Sequence, residues 1–147
     1  MLTGTFARTL DEKQRIAIPK SLRDAMGCQD GGVVYLAPGT DGSLSIYTED
    51  SFSRLAARLA EASPTEEHVR AFLRLFYARA QRIELDRQGR MRISGDLAEL
   101  CSLGRDVILL GVHDHLELWS PSKWQSYLAE KKSQFDAIAE AALGRPQ

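Results

Sequence analysis

The chain has 147 residues, an apolar fraction of 44% and a formal net charge of −1, which excludes a long disordered protein and a globally basic nucleic-acid binder. No run approaches the roughly 20 apolar residues that cross a bilayer. The start Met1-Leu2-Thr3-Gly4 has neither the basic nor the apolar segment of a secretory signal, so a cytoplasmic location with no membrane partner is expected.

In chain order, Thr5 to Leu10 roughly alternates apolar and polar residues and reads as a strand. Asp11 to Arg15 is a polar turn, and Ile16-Ala17-Ile18 resumes the extended pattern. Pro19 ends it and opens a short helix with Leu22, Ala25 and Met26 on one face and Gly27 as its stop. Val33 to Leu36 is a short buried strand, Asp41-Gly42 a turn, and Leu44-x-Ile46 the hairpin partner. Thr48 or Asp50 caps a helix carrying Phe52, Leu55, Ala56 and Leu59. Ser63-Pro64-Thr65-Glu66 has the capping-box pattern and opens a second helix with Val69, Phe72, Leu73 and Phe76. A second set of the first elements then follows, with Ile83 and Leu85, a turn from Asp86, Ile93, a helix with Leu97, Leu100 and Cys101 stopped at Gly104, and strands at Val107–Leu110 and Leu116–Trp119. Ser120-Pro121 starts a last helix with Trp124, Leu128, Phe135 and Ile138 along one stripe, and Gly144 to Gln147 should fray. Cys28 and Cys101 fall in or just after helical patterns and are expected as buried reduced thiols.

The second set is a sequence repeat. Leu10-Asp11-Glu12-Lys13-Gln14-Arg15-Ile16-Ala17-Ile18 aligns with Leu85-Asp86-Arg87-Gln88-Gly89-Arg90-Met91-Arg92-Ile93, an offset of 75 residues from Leu10 to Leu85. After a small gap, Leu44-Ser45-Ile46-Tyr47 aligns with Leu116-Glu117-Leu118-Trp119. Two copies are too few for a solenoid and point to a pseudo-two-fold arrangement in one fused body. Charge follows the repeat. Residues 1–23 carry Arg8, Lys13, Arg15, Lys20 and Arg23 against Asp11 and Glu12, and residues 79–92 carry Arg79, Arg82, Arg87, Arg90 and Arg92 against Glu84 and Asp86. Acidic stretches separate these two basic blocks, so local patches can attract phosphate while the remainder limits indiscriminate binding.

The paired Asp-x-x-x-Arg pattern, Asp11…Arg15 and Asp86…Arg90, carries the main functional expectation. A carboxylate at the head of a tight turn accepts backbone N–H bonds and stabilises it. The arginine at the far end then offers a planar fork to phosphate or to the O6/N7 edge of guanine. The alternative is an intramolecular Asp–Arg pair that only pins the turn. Arg8, Lys13, Lys20 and Arg87 add charge that favours nucleic acid. His113-x-His115 has no third ligand nearby, so a solvated turn is expected and no metal. Pro38 to Ser43 lacks the ending of a phosphate-binding P-loop. With no nucleophile–base pair or carboxylate dyad, neither an enzyme nor a cofactor is expected.

The Leu10–Pro19 segment resembles the hallmark of the MraZ family. So do Leu85–Arg90, Arg70-Ala71-Phe72-Leu73-Arg74-Leu75-Phe76 and the Gly111-Val112…Leu116-Glu117-Leu118-Trp119 stretch, and the likeness runs from about Leu2 to Phe135. It implies an α+β fold in which two pseudo-symmetric AbrB-like β-hairpin units form a swapped-hairpin-like, double-psi-type barrel with flanking helices. The implied boundaries are unit 1 at 3–52, connecting helices at 53–80, unit 2 at 81–124 and a C-terminal helix and tail at 125–147. The resemblance further implies a cyclic homo-oligomer that binds double-stranded DNA at G-rich direct repeats and regulates, usually represses, the division and cell-wall gene cluster. Such a regulator is nucleoid-associated. The implied DNA contacts map to Lys13 and Arg15, with Arg8 added from hairpin geometry. Two departures stand out. Gln14 occupies a position where the family often has glycine, which predicts a differently shaped first turn. Ser94 and Gly95 replace an Ile-Pro-Ala style continuation, which predicts a chiefly structural second copy. An AbrB-like module that binds a partner protein, as antitoxins of this fold do, is the alternative; it ranks lower because the C-terminal region reads as an ordered helix rather than a disordered tail.

Overall fold

The computed structural model describes residues 1–144; of the tail expected to fray, Arg145, Pro146 and Gln147 lie outside the described residues. The first half runs β1 (Thr5–Thr9), β2 (Arg15–Ala17), α1 (Lys20–Met26), β3 (Val33–Pro38), β4 (Leu44–Thr48), α2 (Glu49–Ala60) and α3 (Glu67–Arg79). The second runs β5 (Gln81–Glu84), β6 (Arg90–Arg92), α4 (Gly95–Leu100), β7 (Asp106–Val112), β8 (His115–Trp119), α5 (Pro121–Lys131), a 3-10 turn (Lys132–Gln134) and α6 (Phe135–Leu143). The expected α+β class holds. Among the described residues no helix is long and apolar enough to cross a membrane.

The six long strands form one antiparallel sheet in the order β1-β7-β8-β4-β3-β5, and β2 pairs with β6 in a separate ribbon. The two halves exchange strands: β1 of the first pairs with β7 of the second, and β5 of the second pairs with β3 of the first. A pseudo-two-fold axis follows from the register. In the ribbon, Ile16 lies opposite its repeat mate Met91. In the sheet, Ser45 lies opposite its mate Glu117, flanked by Leu44 opposite Leu118 and Ile46 opposite Leu116. Ile16, Met91, Leu44, Ile46, Leu116 and Leu118 are all inaccessible to solvent, so one apolar core straddles the axis and belongs to both halves. Burial of shared apolar surface is the main force that holds the two copies together.

Local chemistry explains most element ends. Gly27 takes the left-handed C-cap of α1 at φ +75°. Thr48 caps α2 by accepting a hydrogen bond from Ser51 N at 3.0 Å, and Ser120 caps α5 with Pro121 at its first position. Asp41 and Gly42 both have positive φ in the β3–β4 loop, the geometry a two-residue hairpin favours. Both cysteines are free and buried.

Several expectations are corrected. The helix after Ser63 does not open at Pro64 but at Glu67. Ser63 Oγ bonds Thr65 Oγ1 instead of a backbone N–H, and Arg70 Nη1 donates to the carbonyls of Pro64 and Thr65, so a competing turn wins. The last helix is not continuous: α5 and α6 are separated by Lys132-Ser133-Gln134. These polar residues give the expected stripe no apolar side chain to bury between Leu128 and Phe135. Gly104 does not stop α4. The helix ends at Leu100, and Ser102 takes the left-handed position at φ +54°. Ala25 and Leu100, expected on buried helix faces, are exposed because these short helices bury little more than Leu22 and Met26 in α1 and Leu97 and Ala98 in α4.

Candidate nucleic-acid interface

Each basic block forms a five-residue turn that enters one strand of the β2–β6 ribbon. In the first, Asp11 Oδ1 accepts from Lys13 N and Arg15 N, both at 2.9 Å, and Oδ2 accepts from Arg15 Nε at 2.8 Å. Asp11 N donates to Arg15 O and Gln14 N to Asp11 O, closing the loop. The second copy repeats every bond. Asp86 Oδ1 accepts from Gln88 N and Arg90 N, both at 2.9 Å, and Oδ2 accepts from Arg90 Nε at 2.7 Å. Both carboxyls are held below the ordinary carboxylate range, chiefly by the backbone N–H of the paired arginine. The carboxylate is therefore the hub that shapes each turn.

Gln14 does not change the turn, contrary to the sequence expectation. It adopts φ +61° where Gly89 adopts φ +73°, with matching hydrogen bonds. The two turns differ in what covers them. Gly89 is buried beneath Arg23 of α1, whose Nε donates to Ile18 O at 3.1 Å. A Cβ added at Gly89 would lie 2.5 Å from Arg23 Cδ and Nε. The repeat mate of Arg23 is Ala98, and Gln14 is exposed.

Pseudo-symmetry brings the tips together. Ile18 N donates to Gly89 O at 3.1 Å, and Ile93 N to Gln14 O at 2.8 Å, so each turn is braced by the strand leaving the other. Arg90 Nη1 reaches to 3.8 Å from Asp11 Oδ2, linking the turns across the axis. Arg15 and Arg90 each keep about a quarter of the side chain exposed, at 28%. The intramolecular Asp–Arg pair is thus present in both copies. It engages the Nε edge of each guanidinium.

The predicted site residues divide into two groups. Lys13, Arg15, Arg87 and Arg90 lie on the turns, with Lys13 and Arg87 exposed. Lys13 and Arg15 line a groove of about 680 Å³ at the first tip. Arg8 and Lys20 do not line it. Arg8 lies on β1 with its guanidinium 5.6 Å from the Phe6 ring centroid, and Lys20 pairs with Asp24 at 2.9 Å. Sequence reasoning missed three cations near the tips: Arg92, directly opposite Arg15 in the ribbon, Arg23 over the second turn, and Arg105 in the first-tip groove. The basic character of residues 79–92 pointed to Arg92, but its position opposite Arg15 follows from pairing between the copies.

The His113-x-His115 turn also departs from expectation. His113 is exposed, but His115 is half-buried. Its Nδ1 lies 2.9 Å from Asp114 Oδ1 and its Nε2 3.0 Å from Glu117 Oε2, with the ring 5.5 Å from that of Tyr47. The Glu117 hydrogen bond leads the causes that raise the His115 pKa above 6.5. Among the described residues no group of three or more His, Cys, Asp or Glu is placed to hold a metal ion.

Comparison with known proteins agrees with the two-fold plan. The family described as "MraZ protein, putative antitoxin-like" matches twice in succession, over residues 1–75 and 76–146. A relative from Acetivibrio thermocellus, named transcriptional regulator MraZ, is 36% identical over 146 residues, covering 98% of this chain and 99% of its own. Proteins of the same name from Moorella thermoacetica and Nocardia farcinica are 34% and 35% identical, covering 95% and 98% of both chains respectively. With one family match in each strand-exchanged half and relatives of the same length, the chain belongs to the MraZ family.

Proposed function

We propose that this protein is a sequence-specific DNA-binding transcriptional regulator, acting as a repressor of the division and cell-wall gene cluster in the cytoplasm at the nucleoid. The observation that carries this reading is the pair of carboxylate-pinned turns, side by side across the pseudo-two-fold axis, each displaying cations from a rigid loop. Rigid presentation matters because an arginine already held in place loses less conformational freedom on binding. Lys13 and Arg15 are the principal contacts, with Arg87 and Arg90 contributing from the second turn and Arg8 and Lys20 adding longer-range attraction. Asp11 and Asp86 maintain the turn shape. Two units, 3–52 and 81–124, form a swapped-hairpin barrel, with 53–80 and 125–147 as the added helical segments.

One pair of turns reaches few phosphates, so firm binding to G-rich direct repeats needs several linked copies. A closed homo-oligomeric ring provides them. The apolar faces for it are on α3, where Phe72 and Leu75 are exposed while Phe76 packs inward, and on α6, where Phe135 is 70% exposed. Trp124 belongs to the chain's own body, packed 5.2 Å from Trp119. No cofactor, metal or catalytic step enters this function.

Gel shift with duplex DNA from upstream of the protein's own gene tests the reading. Arg15→Ala is expected to weaken specific binding by more than about 1 kcal/mol, the lower end for a good base contact. Sizing chromatography should give the wild-type assembly, since Arg15 is partly exposed and belongs to the β2–β6 ribbon, not to α3 or α6. Wild-type affinity in the variant refutes the assigned role.

A further inference from the structure

We infer that Arg105 is a further DNA contact, one that grips backbone phosphate and works with the first turn alone. The inference rests on the DNA-binding reading above. Arg105 sits at the head of the strand that pairs with β1, where its carbonyl accepts from Leu10 N at 2.8 Å, immediately before the Asp11 turn. It is exposed and lines the same groove as Lys13 and Arg15. Arg15 and Arg90 each spend one edge on an aspartate, whereas Arg105 forms no ion pair among the described residues. Its whole guanidinium is therefore available to an anion.

Pseudo-symmetry shows that this cation is particular to one turn. The two-fold-related bond runs from Leu85 N to Gly32 O at 2.9 Å. At the second turn the equivalent stretch is Gly31-Gly32, both at positive φ, so no side chain stands there. The cation beside the second turn is instead Arg23, which is folded over Gly89 and bonded to Ile18 O. The first turn thus has a free flanking arginine and the second a committed one.

Chemistry favours phosphate over a base edge. Arg105 lies at the side of the turn rather than on it, where a duplex presented to the tip brings its backbone. A guanidinium there takes phosphate oxygens with two hydrogen bonds. Asp11 and Glu12 share the groove. Asp11 is satisfied by Arg15, and without Arg105 the groove's carboxylates would balance Lys13 and Arg15. Arg105 is what leaves it net positive.

The test titrates salt from about 50 to 200 mM and measures affinity of the full chain for the upstream duplex and for a scrambled duplex of equal length. Arg105→Ala is expected to weaken both complexes by the same factor and to lower the salt slope by about 0.9 per engaged turn. For each engaged turn, the wild-type advantage at the low-salt end then exceeds that at the high-salt end by about 3.5-fold. Arg105→Lys restores the slope. If Arg105→Ala keeps the wild-type slope and affinity, or loses only the preference for the upstream duplex, the phosphate assignment is overturned. If the wild-type protein itself binds neither duplex, the DNA-binding function falls and this inference with it.

Discussion

Gly89→Ala tests how the second turn is built, because it asks two structural features at once. The alanine must adopt φ +73°, and left-handed backbone costs a non-glycine residue about 1–2 kcal/mol. It must also displace Arg23, whose Cδ and Nε would lie only 2.5 Å away. The arginine is flexible, so the steric contact itself is readily relieved. What is lost is its 3.1 Å hydrogen bond to Ile18 O, about 0.5–1.5 kcal/mol for an ordinary protein hydrogen bond. Reduced freedom of the unfolded chain returns about 0.4–1 kcal/mol. The net destabilisation is about 2 kcal/mol, which lowers the Tm of a body this size by roughly 4–8 °C. Arg23→Ala alone should cost about 1 kcal/mol, and the double variant clearly less than the two added, because the hydrogen bond is lost only once. Urea denaturation of the four proteins measures this cycle. Strictly additive effects would show that Arg23 and Gly89 do not share that contact.

Other outcomes follow from the core and from the half-buried histidine. Met91→Ala removes a side chain with no solvent exposure on the pseudo-two-fold axis opposite Ile16. It should cost about 3 kcal/mol and lower Tm by roughly 10 °C in differential scanning calorimetry; a change below about 1 kcal/mol would contradict a core shared across the axis. His115 is raised above 6.5 first by its hydrogen bond to Glu117, while Glu117 and Asp114 are lowered by their bonds to it. The histidine's contribution is therefore complete below pH 6.5 and fades as the pH rises through its elevated value. That of the carboxylates is complete above their ordinary 4.5 and 3.8 and fades as the pH falls. His115→Gln should flatten the decline of Tm on the alkaline side of 6.5, and an unaltered profile would show that the cluster does not couple to folding.

The aspartate-headed turns were legible because their determinants are local. An aspartate followed four residues later by arginine specifies backbone and side-chain bonds within five residues, and both copies obey it. The caps at Thr48 and Ser120 and the stop at Gly27 are equally local. Less legible was the start of α3, where the Ser63 capping pattern yields to hydrogen bonds that Arg70 makes from farther along the chain. His115 was misjudged for a related reason: its partner Glu117 is near in sequence, but the burial that brings them together depends on neighbouring Tyr47 in β4.

Taken alone, the sequence determined that the chain is a two-copy α+β protein with a basic, aspartate-headed turn in each copy, because repeats, caps and turn bonds are encoded within short stretches. Only the tertiary structure decided that the copies trade strands, that Arg15 faces Arg92 and Arg90 approaches Asp11, and that Arg105 flanks one turn while Arg23 covers the other. Those neighbours lie 66 or more residues apart along the chain, and it is the burial of one apolar core across the pseudo-two-fold axis that brings them together.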